Sequence, residues 1–139
     1  MNSTNAQFSH IKDRDSCIYL LQEDRGRLRD DVIPRSKIGF TNRLDCTFKR
    51  FRLQIIRSAS PEKLNLIHAI KVPSTSIAQK LERFLHKHFI HRKSFDYSDE
   101  WLDLSQDDIS WICSLTYEKL KEALPPVTRE QLETLEHAN

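Results

Sequence analysis

The chain has 139 residues, 38% of them hydrophobic and 30% charged, with only two Gly and five Pro. That is the length of one domain able to bury a sizeable core. No apolar run approaches the roughly 18 residues a membrane span needs, so no membrane-spanning helix is expected. The formal net charge of +2 hides an asymmetry: residues 43–93 carry twelve Lys and Arg against three acids, and residues 94–139 carry three against eleven. A basic middle points to an anionic partner, nucleic acid first, unless the two halves simply attract each other.

Residues 1–16 are polar, lack the apolar core of a signal peptide and read as a tail. Cys17, Cys46 and Cys113 are scattered, with no C-x-x-C pair. They read as reduced and mostly core cysteines, which suggests a cytosolic protein. The run "CIYLLQ" (17–22) predicts a first strand and "RSKIGFT" (35–41) a second. The charged stretch between them ends in Pro34 and reads as the loop of an antiparallel pair. In residues 42–59, Leu44, Phe48, Phe51 and Ile55 form one helical stripe, with Asn42 as cap. "KLNLIHAIKV" (63–72) predicts a third strand. After Pro73 and a Ser-Thr-Ser cluster, residues 77–89 predict a helix with the stripe Ala78, Leu81, Leu85 and Phe89. Residues 90–100 read as a loop and "WLDL" (101–104) as a short extended piece. Ser105 with Asp108 predicts the start of a helix running to Leu124, where Pro125 and Pro126 stop it. Thr128 with Gln131 predicts a capping box for a last helix.

The predicted fold is therefore α+β. A small three-stranded antiparallel sheet in the order β-β-α-β-α is flanked by helices, with extra helices at the C-terminus. The expected division is a tail at 1–16, a core domain at 17–104 and a helical extension at 105–139.

Strand periodicity places Ile18 and Leu20 on one face and Cys17, Tyr19 and Leu21 on the other. In the second strand Ile38 and Phe40 share a face, and Lys37 and Gly39 share the opposite one. If the Ile, Leu and Phe faces enter the core together, Tyr19, Lys37 and Gly39 emerge side by side on the other face. A Gly inside a strand marks close approach of a backbone or ligand, or else a bulge or tight packing. On the first predicted helix Arg52 borders the apolar stripe, roughly 70° from its centre, and Arg50 lies roughly 130° away. On the second, Glu82 borders the stripe one turn from His86. His86 and His88 point about 200° apart on a helix and cannot share a metal. His88 and His91 have no Cys nearby to complete a zinc set.

The ordered set of motifs resembles the GIY-YIG nuclease superfamily. It is most similar to the phage and bacterial branch, with a fungal meiotic relative, whose second motif is K-I-G. The matching pieces are "CIY" (17–19), "KIGFT" (37–41), "RLQIIRSASP" (52–61), "LNLIHAI" (64–70), "AQKLERFLHKHF" (78–89) and "DEWLDL" (99–104). Cys17 stands where the family name has Gly, and Lys37 where it has Tyr. The resemblance implies hydrolysis of a phosphodiester. Tyr19, assisted by Lys37, would act as general base or position the attacking water. Arg52, with Arg50 as its rival, would steady the charge on phosphorus. Glu82 would hold one divalent ion, Mg²⁺ or Mn²⁺. Gly39 would leave room for the nucleic-acid backbone, and Lys49, Arg50 and His86 would contact it.

The chemistry suits those roles. A phosphoryl transition state gains negative charge, so a fixed guanidinium helps most there. A lone carboxylate suits an ion that keeps its waters and takes phosphate oxygens. A Tyr with an ordinary pKa near 10 needs a neighbouring cation or a metal-bound hydroxide to serve as base. The expected activity is a metal-dependent DNA endonuclease. The alternative is a nucleic-acid-binding or interaction module on the same fold without cleavage. DNA is the favoured partner, no membrane is involved, and the oligomeric state stays open, a homodimer included.

Overall fold

The computed structural model describes residues 8, 10–12, 14–24, 34–44, 46, 64–94 and 101–137. The predicted 42–59 helix beyond its first turn lies outside the described residues, and so does most of the predicted 23–34 loop, whose first residue, Glu23, belongs to the first strand. Strand β1 (Ser16–Glu23) pairs antiparallel with β2 (Ser36–Thr41) on one side and with β3 (Leu64–Val72) on the other. A two-residue strand β4 (Trp101–Leu102) adds to β2, giving the order β3-β1-β2-β4. The α+β class thus holds, and the sheet has a fourth strand. The extended "WLDL" segment supplies it by pairing Leu102 with Ser36 and Trp101 with Lys37.

β3 carries a bulge. Leu20 faces His68 and Leu21 faces Leu66, so Ile67 is the extra residue. The extra residue flips the phase of alternation. Leu64 and Leu66 before it therefore share a face with Ala69 after it.

Helix α1 (Thr75–His88) starts at Ser74, whose hydroxyl accepts from the Ile77 amide at 3.3 Å. Ser16 and Thr75 join hydroxyls at 2.9 Å, tying the start of β1 to the first turn of α1. The apolar stripe of α1, Ile77, Ala78, Leu81 and Leu85, is fully buried against Ile18, Leu20 and Ile38. His86, Lys87 and His88 fill its last turn, where cations complement the helix dipole.

The C-terminal half departs from the sequence prediction at two places. The single helix expected from Gln106 to Leu124 is two, α2 (Gln106–Cys113) and α3 (Tyr117–Glu122). The break has three causes: Thr116 caps α3 through the Lys119 amide, Leu115 is buried, and the Leu115 carbonyl pairs with His68 Nε2 at 3.0 Å. The last helix, α4 (Pro126–His137), begins at Pro126 rather than behind Thr128. Proline suits the first helical position, because its missing N–H has no partner there in any case. The Ser105–Asp108 capping box forms as predicted. Helices α1 to α4 all pack into one apolar core on the Ile18/Leu20/Ile38 face of the sheet. Among the described residues, no helix is long and apolar enough to cross a membrane.

Candidate functional site

The opposite face of the sheet is covered as well. Cys17, Tyr19, Leu21, Leu64, Leu66 and Ala69 meet Phe8 and Leu44 in a second, smaller core. Tyr19 is 5% exposed and Lys37 6% exposed. The sequence correctly set Tyr19, Lys37 and Gly39 on one face, but that face is roofed over rather than open. Leu44, the first residue of the predicted 42–59 stripe, is part of the roof.

Tyr19 stands directly opposite Gly39 in the β1–β2 register. Its ring lies across the glycine: a Cβ added to Gly39 would stand 2.5 Å from Tyr19 Cζ and closer still to the hydroxyl. The empty space expected over Gly39 is therefore filled from within the protein. Gly39 seats the phenol, and any larger residue would push the ring off the strand. Lys37 is two residues along β2 and thus a diagonal neighbour of Tyr19, with Cα atoms roughly 7–8 Å apart, within a lysine's reach. The register sets Lys37 between Leu21 on β1 and Trp101 on β4.

The base of the β1–β2 pair is clamped by residues the motifs did not point to. Arg35 grips buried Glu23 with two bonds of 2.7 Å, and the Arg35 amide adds a third at 3.1 Å to the same carboxylate. The guanidinium also lies over the Trp101 ring, 5.8 Å from its centroid. This fork fixes the strand immediately before Lys37. Its signal was present in the sequence, an acid at the end of one predicted strand and an Arg at the start of the next, but only the register makes them partners.

Glu82 and His86 come to the same stretch of β2 from α1. His86 Nε2 lies 3.0 Å from Glu82 Oε1 and 2.9 Å from the main-chain carbonyl of Ile38. Two acceptors at one nitrogen place the proton on Nε2, which donates to both, and leave Nδ1 as the second nitrogen. The bond to Glu82 raises the His86 pKa. Burial opposes that rise, and the Ile38 carbonyl supports it. Ile38 adjoins Gly39, so β2 holds the Glu82–His86 pair, coming from the α1 side of the sheet, and the Tyr19 ring, coming from the other face, at consecutive residues.

The Glu82 side chain is 21% exposed and can be reached from solvent. His86 orients one carboxylate oxygen, as a partner of a metal-binding carboxylate commonly does, and the other is suited to a hydrated divalent ion. Among the described residues, no three of His, Cys, Asp and Glu gather into an all-protein metal cage. The residues thus fit Mg²⁺ or Mn²⁺ held partly by substrate oxygens better than a zinc centre.

Lys49, Arg50 and Arg52 lie outside the described residues, so the choice between the two arginines rests on the sequence alone. The cysteines differ from expectation. Cys17 is buried, and burial first, with the nearby Asp15 charge, pushes its thiol up to about 12, so it is inert core. Cys46 and Cys113 are exposed rather than core. Trp101 borders the small core, and Trp111 stacks on His88 at 4.9 Å.

No curated protein and no solved structure matches the chain. A family model does: the T5orf172 domain matches residues 16–117, from the first residue of β1 to the first residue of α3. The match takes in Tyr19, Lys37, Gly39, Glu82 and His86. With most of its length matched, and with the strand, helix and motif order just described, the chain belongs to the T5orf172 domain family, a phage-associated family in the GIY-YIG-like, nuclease-related group.

Proposed function

We propose that the protein is a metal-dependent endonuclease that hydrolyses phosphodiester bonds in DNA, of the K-I-G branch of the GIY-YIG group. The observation that carries this reading is that β2 holds two groups at adjoining residues, one from each face of the sheet. The Tyr19 hydroxyl is seated over Gly39, and Glu82 is fixed through His86 onto the adjoining Ile38 carbonyl. A binding-only descendant has no need of a held carboxylate there, since it repels phosphate unless a cation bridges them.

In this mechanism the Tyr19 phenolate, favoured by the Lys37 ammonium beside it, orients the attacking water and takes up its proton. Arg52, or Arg50 in its place, neutralises the charge that builds on the phosphoryl oxygens. Glu82 would hold Mg²⁺ or Mn²⁺, which when bound supplies charge neutralisation on the phosphate. His86 keeps the Glu82 carboxylate turned toward β2. A second reading, a DNA-binding module without cleavage, is favoured by the burial of Tyr19 and Lys37, because a base must reach water.

Nicking of supercoiled plasmid separates the two. Wild type, Arg52→Ala, Arg50→Ala and Glu82→Ala are compared in Mg²⁺, Mn²⁺ and EDTA. Nicking that needs the ion and is lost in Glu82→Ala and in one of the two Arg variants supports the endonuclease and names its arginine. A wild type that retards DNA but never cuts it establishes the binding module instead.

A further inference from the structure

The four-helix side of the molecule carries a groove that the proposed site does not use. It has a volume of about 370 Å³ between α1 and α4 and is lined by Lys80, Arg83, Phe84, Lys87, His88, Pro125, Thr128 and Gln131. None of the lining residues is acidic, although α4 belongs to the most acidic part of the chain. Glu136 of α4 is turned to Tyr117 and Lys121 instead, with Lys121 Nζ 2.9 Å away. Glu136 thus does not neutralise the basic helix beside it. α4 presents Thr128 and Gln131 to the groove, and Gln131 Oε1 holds Lys80 Nζ at 3.0 Å without cancelling its charge. His88 is braced by Trp111, with rings 25° from parallel, and by Phe84 at 5.9 Å, so this wall is firm.

The placement of the cations is linear rather than convergent. Lys80 and Lys87 are separated by about 10.5 Å along the axis of α1, with Arg83 between them. Phosphates on one strand of a duplex advance by about 3.4 Å each along its axis, so a row of that length spans about three phosphate steps, and three cations along it can serve successive phosphates. A single small anion would need donors aimed at one point. Around α1, Glu82 and His86 flank the buried stripe on one side, and Phe84 and Lys80 flank it on the other. Arg83 and Lys87 lie between, on the face turned away from the core. A strand lying across that outer face connects the β2 site with the groove.

We propose that the α1–α4 groove binds the DNA backbone flanking the position held at β2, with Lys80, Arg83 and Lys87 pairing with consecutive phosphates. This rests on the nucleic-acid reading given above and adds a track to it. The test is fluorescence anisotropy with a labelled random-sequence DNA duplex, in EDTA, over a range of KCl concentrations. Arg83→Gln and Lys87→Gln are compared with Lys119→Gln, an equal charge change on exposed α3 away from the groove. Each groove variant is expected to bind several-fold more weakly and to reduce the slope of log K against log salt by about 1, with Lys119→Gln close to wild type. If wild type binds and the groove variants keep its slope, or all three variants lose alike, the groove proposal is overturned and the nucleic-acid reading stands. If wild type does not bind DNA at any salt, the nucleic-acid reading fails and takes the groove with it.

Discussion

The two faces of the sheet are built to different ends. The face packed against α1 to α4 is built mainly of apolar residues, and Leu81, Leu102, Leu104, Leu120 and Leu132 are completely inaccessible there. The other face mixes apolar residues with a phenol and sets Lys37 beside them. One face stabilises the fold and fixes where α1 lies. The other confines the groups that can do chemistry. Because α1 carries Glu82 and His86 on the flank of its buried stripe, the stable face also positions part of the site. The strand between them, β2, is where the two sides meet.

The comparison can be broken hardest from the large core. Leu81→Ala leaves a cavity at a position with no exposure, and is expected to cost about 3 kcal/mol and lower Tm by roughly 10 °C, read by thermal melting. Activity per folded molecule is expected to persist at low temperature. If Leu81→Ala abolished nicking while the protein stayed folded, the division of labour between the faces would be wrong.

Gly39→Ala is the matching change on the small face. The added Cβ collides with the Tyr19 ring, at a cost of about 1–3 kcal/mol, and displaces the hydroxyl, so nicking is expected to fall far more than stability. Tyr19→Phe removes only the hydroxyl and is expected to abolish nicking with little change in Tm. A Gly39→Ala protein that cuts at the wild-type rate would show that the seated phenol has no part in the reaction.

The smallest effect concerns the helices that close the large core. The Glu136 carboxyl pKa is lowered, by the Tyr117 hydroxyl first and then by Lys121. A carboxylate lowered in the folded state adds stability above its unfolded pKa, and that stability is lost as pH falls through the folded value. The Glu136 contribution to Tm is therefore expected to be flat from neutral pH down to about 4.5 and to decline below it. Glu136→Gln should start lower and decline less steeply over the same range. Identical acid profiles for the two proteins would remove Glu136 from the account.

Much of the frame was legible because local rules decide it. The period of two in "CIYLLQ" and "KIGF" put Tyr19, Lys37 and Gly39 on one face, and the stripe of α1 put Glu82 one turn from His86 at its edge. Ser105 with Asp108 is a capping box whose two partners lie three residues apart, so sequence alone could find it. What escaped prediction depended on partners distant in the chain. The break at Ser114–Thr116 is held in part by His68 on β3. The pairing of Trp101 and Leu102 with β2 turned an extended piece into a strand.

The sequence by itself determined the strands β1 to β3, the helix α1, the charge division and the shared face of Tyr19, Lys37 and Gly39, because hydrophobic period, caps and residue chemistry are local properties. Only the tertiary structure decided that both sheet faces are buried, that the space over Gly39 belongs to Tyr19 and that His86 ties Glu82 to the Ile38 carbonyl. It alone brought α4 beside α1 with its polar rather than its acidic residues toward the basic groove. Those outcomes turn on register, on the single-residue bulge in β3 and on helix rotation. Each is set by how whole surfaces pack together, and none by the residues on either side in the chain.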